Sequence, residues 1–305
     1  MPKQTSSKTV RARPTARAKP ETIVPDLLGA HMSIAGGVDK AIERALAVGC
    51  TAMQIFVKSN MQWFAPAPFA EREVEAFRAD AGRLGSVFGH SGYMINLAAA
   101  NAEFLEKSKS ALIQELTRAD QLGLPFLVLH PGAHMGAGIE AGLAKVVESL
   151  DAVFEAIPEV KTRVALETTA GQGSSLGATF EDLAFILQNA RQPARLCVCI
   201  DTAHLFAAGY DLSTEVATEK VFDQFDRTVG VKHLAALHLN DSKSALGSRV
   251  DRHEHIGKGR IGLPAFRWIM RSSELSRLPK VLETPKGKGM KEDMENLAVL
   301  RGLLD

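Results

Sequence analysis

The chain has 305 residues, 46% of them apolar and 23% charged, enough to bury one large core. No apolar run approaches the roughly twenty residues of a membrane span, and no signal-like segment opens the chain, so a soluble, cytoplasmic protein without a membrane partner is expected. The net charge of +1 hides an asymmetry: residues 1–20 carry Lys3, Lys8, Arg11, Arg13, Arg17 and Lys19 and no acid, which leaves the remainder at −5.

Residues 1–26 lack hydrophobic periodicity and are rich in Pro, Ser, Thr and Ala. They read as a disordered basic tail, suited to nonspecific phosphate attraction and Arg-rich and acid-poor like a transit peptide. No linker or repeat interrupts residues 27–305, so one domain is expected there. Short apolar runs alternate with longer amphipathic stretches, the pattern of parallel strands joined by crossover helices. The predicted strands are Leu27–Ser33, Ala52–Val57, Ser86–Ser91, Phe126–His130, Arg163–Thr168, Arg195–Asp201, Leu234–Leu239 and Lys280–Thr284. Between them, Ala102–Leu122, Ala141–Ala156 and Phe180–Asn189 place apolar residues at helical spacing. The α/β class and eight strands predict a closed (β/α)8 TIM barrel. An open doubly wound sheet is the alternative, but Gly36 and Gly37 follow the first strand without the glycine spacing of a phosphate loop. With only Cys50, Cys197 and Cys199 a disulfide framework is not expected, and Cys197 and Cys199, which would point the same way in a strand, read as core packing rather than a metal-binding pair.

The predicted strand ends carry the chemistry. His90, His130, Glu167, Asp201, His238 and Glu283 close the third to eighth strands. In a parallel barrel these ends share one face, where barrel enzymes place their active sites. Any one of them is as well explained as a structural group. Six together, three of them carboxylates, would repel or lack partners without cations. His204 follows Asp201 by three residues, and Asp251 and His253 flank Arg252 in a polar loop. Nine candidate ligands exceed one tetrahedral site and suit a polynuclear catalytic cluster of Zn2+, with manganese or iron as other occupants. About three divalent ions would offset the −5 of the body and attract a phosphate substrate. Lys243, Arg249 and Arg252 crowd the same loop as Asp251 and His253 and are the candidate phosphate contacts.

The ligand types fall within GAHMSIAGG at 29–37, HSGYMINLA at 90–98, LHPGAH at 129–134, LETTAGQGSSLG at 166–177, CIDTAHLFAAGYD at 199–211 and HLNDSKSALGSRVDRHEHIGKG at 238–259. From residue 27 to the end, the chain resembles endonuclease IV, the zinc-dependent family of apurinic/apyrimidinic endonucleases. The resemblance implies one zinc on His90, His130 and Glu167, a second on Glu167, Asp201, His238 and Glu283, and a third on His204, Asp251 and His253. Glu167, Glu283, Asp201 and His238 are then the catalytic group. The implied reaction is hydrolysis 5′ to abasic sites in double-stranded DNA, leaving a 3′-hydroxyl for base excision repair, with trimming of blocked 3′ ends; a monomer is expected because a compact barrel meeting one duplex needs no partner subunit. Tyr93 and Met94 stand where the family inserts side chains into the lesion, and Asn60 to Trp63 resemble its second wedge. Met61 stands where a basic residue is expected, and Lys258 where Glu is frequent. Trp63 is a candidate for stacking or for bracing its loop. His31 and His134 are expected beside the ligands, and His233 and His255 at the surface. A divalent-metal sugar isomerase or epimerase on the same barrel is the rival enzyme, and a non-cutting DNA-binding relative the rival of another class.

Overall fold

The computed structural model describes residues 26–304. Its elements run β1 (Leu28–Met32), α1 (Asp39–Ala47), β2 (Ala52–Phe56), α2 (Glu71–Ala81), β3 (Ser86–His90), α3 (Ala102–Gln121), β4 (Phe126–Leu129), α4 (Ile139–Ala156), β5 (Arg163–Glu167), α5 (Phe180–Asn189), β6 (Leu196–Asp201), α6 (Thr202–Ala208), α7 (Glu215–Thr228), β7 (Leu234–His238), β8 (Asp241–Ser242), β9 (His253–Glu254), α8 (Leu263–Arg271), β10 (Lys280–Leu282) and α9 (Lys291–Arg301). The eight long strands are hydrogen-bonded in the order β1, β10, β7, β6, β5, β4, β3, β2 and back to β1, a closed TIM barrel. Every pair in it is parallel. Among the described residues no helix is long and apolar enough to cross a membrane.

Each predicted strand is found, usually ending one or two residues short at the carboxyl end. Arg195 falls in a 3-10 turn, and the antiparallel pair of β8 and β9 was not foreseen from sequence. The expected tail lies outside the described residues except for Asp26, whose carboxylate meets Arg301 Nε at 2.7 Å.

Strand periodicity sorts side chains into two cores. One parity faces the helices. The other fills the barrel: Ala52, Phe88, Phe126, Val128, Ala165, Cys197, Cys199, Ala236 and Val281 form a buried cluster of their own. Phe88 and Phe126 lie with ring centroids 4.8 Å apart and fill space that the small residues leave. Two steps of the same parity lead from Phe88 to His90, Ala165 to Glu167, Cys199 to Asp201, Ala236 to His238 and Val281 to Glu283, so the inward row turns polar at one end of the barrel. Cys197 and Cys199 both point inward, and all three cysteines are buried and free. A register shift between Val198 and Cys199 skips Ala235, which brings Asp201 opposite His238.

Candidate metal centre at the barrel mouth

Local rules place the ligands. Asp201 ends β6 and caps α6, its Oδ1 accepting from the His204 amide at 2.8 Å. That capping bond fixes His204 one turn above Asp201. Asp251 and His253 come from the segment leading into β9. Asp241 anchors the other end of this excursion. Its buried carboxylate accepts from the amides of Gly257 and Gly259 at 3.0 Å and Ile261 at 2.9 Å. A Cβ on Gly259 would collide with Asp241 Oδ1, so only glycine fits there.

Glu167 is the hub. Its two oxygens meet four imidazoles: His130 Nε2 at 2.9 Å, His90 Nε2 at 3.2 Å, His238 Nδ1 at 2.8 Å and His204 Nδ1 at 3.4 Å. Glu283 Oε2 lies 3.2 Å from His238 Nδ1, and Asp251 lies 3.1 Å from His204 Nε2 and 3.3 Å from His253 Nε2. All nine sequence-predicted ligands therefore converge. Donor atoms of His90, His130 and Glu167 lie within 4.8 Å of one another, as do those of Glu167, Asp201, His238 and Glu283, and those of Asp201, His204 and His253. Asp201 thus also joins the third group, next to Asp251.

Outer hydrogen bonds decide which ring nitrogen faces inward. His90 Nδ1 donates to Ser91 O at 2.7 Å, His204 Nδ1 to Thr168 O at 2.8 Å, and His253 Nδ1 to Glu283 O at 3.1 Å. A carbonyl can only accept, so the proton sits on the outer nitrogen and Nε2 offers a lone pair to the centre. His238 is reversed: its Nε2 donates to Gln54 Oε1 at 2.7 Å, leaving Nδ1 inward. His253 Nε2 is buried without a hydrogen-bond partner, between Asp251 at 3.3 Å and Asp201 at 3.6 Å. Such a nitrogen, its lone pair facing only carboxylate oxygens, fits a cation between them.

Charge tells the same story. Burial would raise Glu167 and Glu283, yet facing imidazoles, His130 and His238 for the first, His238, His31 and His90 for the second, hold both well below the carboxylate range. Burial would lower His204, but Asp201, Asp251 and Glu167 outweigh it and hold its pKa well above the ordinary value. Without ions, the cluster balances its carboxylates with protons on imidazoles. Divalent cations can replace those protons, so binding them releases protons.

The remaining predicted residues divide. Tyr93 stands 63% exposed at the rim, its ring centroid 5.5 Å from Phe56 and 6.0 Å from His90. Met94 lines a cavity of about 770 Å³ beside His130, and Met61 protrudes 79% exposed. Trp63 packs edge-on to Phe104 at 5.2 Å with Lys107 above its ring, which braces the loop and occupies one ring face. Lys243, Arg249 and Arg252 are exposed on the loop beside Asp251. His31 reaches Glu283 as expected, at 3.3 Å. His134 instead accepts from the amides of Gly136 and Gly138 and shapes a turn, and His255 is half-buried against Asn296 rather than a free surface group.

Sequence reasoning passed over Gln54 and Asn240. Gln54 Nε2 reaches Glu283 Oε1 at 2.6 Å and His31 Nδ1 at 2.8 Å, while Asn240 Nδ2 donates to Asp201 Oδ2 at 2.6 Å. Gln54 sits two residues beyond Ala52, on the inward parity, and that alternation was the signal available.

A family model described as Xylose isomerase-like TIM barrel matches residues 42–301. A "Probable endonuclease 4" from Trichlorobacter lovleyi is 47% identical over 280 residues, covering 91% of this chain and 99% of the relative. The chain belongs to the endonuclease 4 family. The crystal structure of endonuclease IV from Thermus thermophilus superposes with a TM-score of 0.79 at 38% identity, over 91% of this chain and 98% of that one. A D-tagatose 3-epimerase-like protein shares the fold, with a TM-score of 0.68 over 90% of this chain and 97% of its own, but at 16% identity. Barrel geometry is thus common to endonuclease 4 and epimerase-like proteins, whereas sequence identity places this chain with endonuclease 4.

Proposed function

We propose that this protein is a zinc-dependent DNA-repair endonuclease that hydrolyses the phosphodiester 5′ to abasic sites in duplex DNA and trims blocked 3′ ends, acting as a monomer. The carrying observation is three overlapping ligand groups joined through Glu167 and Asp201 in a chain of the endonuclease 4 family. His90, His130 and Glu167 would hold one ion, Glu167, Asp201, His238 and Glu283 a second, and His204, Asp251 and His253 a third. Divalent ions, when bound, supply Lewis acidity to the phosphodiester and acidify water.

The protein's own share is to hold these nine side chains in place. Ser91, Thr168, Glu283 and Gln54 receive the outer imidazole protons of His90, His204, His253 and His238, so those four rings stay turned toward the centre. Tyr93, Met94 and Met61 present apolar bulk at the rim, suited to replace lost stacking when a nucleotide without a base leaves the helix. Lys243, Arg249 and Arg252 supply positive charge on the same side for the phosphate backbone.

The test is incision of a duplex oligonucleotide with one tetrahydrofuran abasic analogue, compared with Glu167→Gln. We expect cutting just 5′ of the site, and in the variant a loss of roughly three orders of magnitude, as when several kcal/mol of charge stabilisation disappears. No incision by zinc-loaded wild-type protein would refute the reading.

A further inference from the structure

Residues 57–70, between β2 and α2, form a long loop with no helix or strand of its own. One face of α3 grips it. Arg118 donates through Nε to Val57 O and through Nη1 to Ala67 O, both at 2.7 Å, and Gln114 Oε1 accepts from the Ala65 amide at 2.6 Å. At the centre of this grip is an ion pair, Lys58 Nζ to Glu115 Oε1 at 2.9 Å. Lys58 is 5% exposed and Glu115 fully buried. Neither touches the metal centre.

The pair binds two loops at once. Lys58 Nζ donates to Gln62 O at 2.6 Å and Ser59 O at 3.3 Å, so it bridges the turn whose tip is Met61. Glu115 Oε2 accepts from the Gly92 amide at 2.9 Å, immediately before Tyr93. The two loops close on the pair so tightly that a Cβ on Gly92 would lie 2.9 Å from Lys58 Nζ. Desolvating two charges largely cancels their attraction, so such a pair adds little stability of its own. Its distinctive effect is geometric. It ties together the backbones beneath Met61 and Tyr93, the two most exposed large apolar side chains of these loops, at 79% and 63%.

We propose that Lys58 and Glu115 are positioning residues that lock the Met61 loop and the Tyr93 loop into one unit, so that both side chains meet lesion DNA together. The proposal rests on the DNA-cutting reading above. Charge is needed because two carbonyls, Gln62 O and Ser59 O, and the carboxylate oxygen Glu115 Oε1 all face one nitrogen. An ammonium donates to both carbonyls while its charge faces Glu115, and an apolar side chain would leave that fully buried carboxylate without a counter-charge.

The experiment measures kcat and KM on the tetrahydrofuran duplex for Lys58→Met, Glu115→Gln and the double variant, with zinc content and melting temperature on the same samples. Lys58→Met alone leaves Glu115 buried and unpaired, so it lowers the melting temperature, and the double variant recovers much of the loss. KM should nonetheless rise about tenfold or more in Lys58→Met and stay raised in the double variant, with kcat and zinc content at wild-type values, since a displaced binding loop costs affinity rather than chemistry. In Glu115→Gln the amide oxygen can still accept from Gly92, so its KM should move less. A KM that recovers with stability in the double variant, or a loss confined to kcat, would overturn the proposal. A wild-type protein that leaves the duplex intact would instead overturn the reading on which it rests.

Discussion

Gln54 shows how much one neutral side chain can decide. It is fully buried in the barrel and bonded to three groups: His238, Glu283 and His31. Its amide nitrogen must face the Glu283 carboxylate, so its oxygen must face His238 Nε2, and that forces the His238 lone pair onto Nδ1. Gln54→Leu keeps the volume and removes the acceptor. Zinc affinity, titrated against a competing chelator, should fall about 10- to 100-fold, the usual effect of losing a partner behind a metal-bound imidazole. Unchanged affinity would show that packing alone holds the ring. The candidate ligands were legible only jointly: any one His, Asp or Glu at the end of an apolar run has a structural reading, but six of them closing successive strands leave charges that need cations. Gln54 was not, because a glutamine inside a strand carries no such mark until the parity of the barrel is known.

At the scale of elements, β10 contributes a second kind of buried charge. Lys280 is 2% exposed and donates to Leu275 O at 2.6 Å and Leu278 O at 3.0 Å, with no carboxylate in ion-pairing range among the described residues. Burial pulls its ammonium down to about 8. The folded value lies below that of the unfolded chain, so between pH 8 and roughly 10.4 the unfolded state holds more protons, and this contribution to stability rises with pH. Below pH 8 both states are protonated and the burial cost is borne in full. The unfolding free energy of wild type minus that of Lys280→Met, from urea curves, should therefore climb across this window by up to about 3 kcal/mol. A flat difference would mean that Lys280 stays charged in the fold. Elements were largely readable from sequence, since apolar runs and helical spacing gave their order. The pair of β8 and β9 was missed because two-residue strands have no period, and it forms only when Asp241 gathers the amides of the loop beyond it.

For the whole molecule, the mouth concentrates carboxylates that the barrel alone does not neutralise. Glu167 and Asp201 are completely buried, and protons on neighbouring imidazoles stand in for cations. Ions bound by the folded state and not by the unfolded chain add stability by mass action, about 2.7 kcal/mol at a hundredfold excess over Kd. A chelator should lower the melting temperature of the wild-type protein, zinc should restore it, and the shift should shrink in Glu167→Gln. A melting temperature indifferent to chelation would argue against ions held by this cluster.

The sequence by itself determined the barrel class, the order of its eight barrel strands, the nine candidate ligand types and the resemblance to endonuclease IV, because each depends on local periodicity or on residues adjacent in the chain. Tertiary structure decided the rest. Only barrel closure sets which oxygen of Glu167 meets which imidazole, brings Asp201 into the third group, turns His238 through Gln54, and sets the Trp63 ring edge-on against Phe104. These facts depend on strand register and on contacts between distant residues, such as Gln54 with Glu283 or Lys58 with Glu115, and no local pattern in the chain encodes such distances.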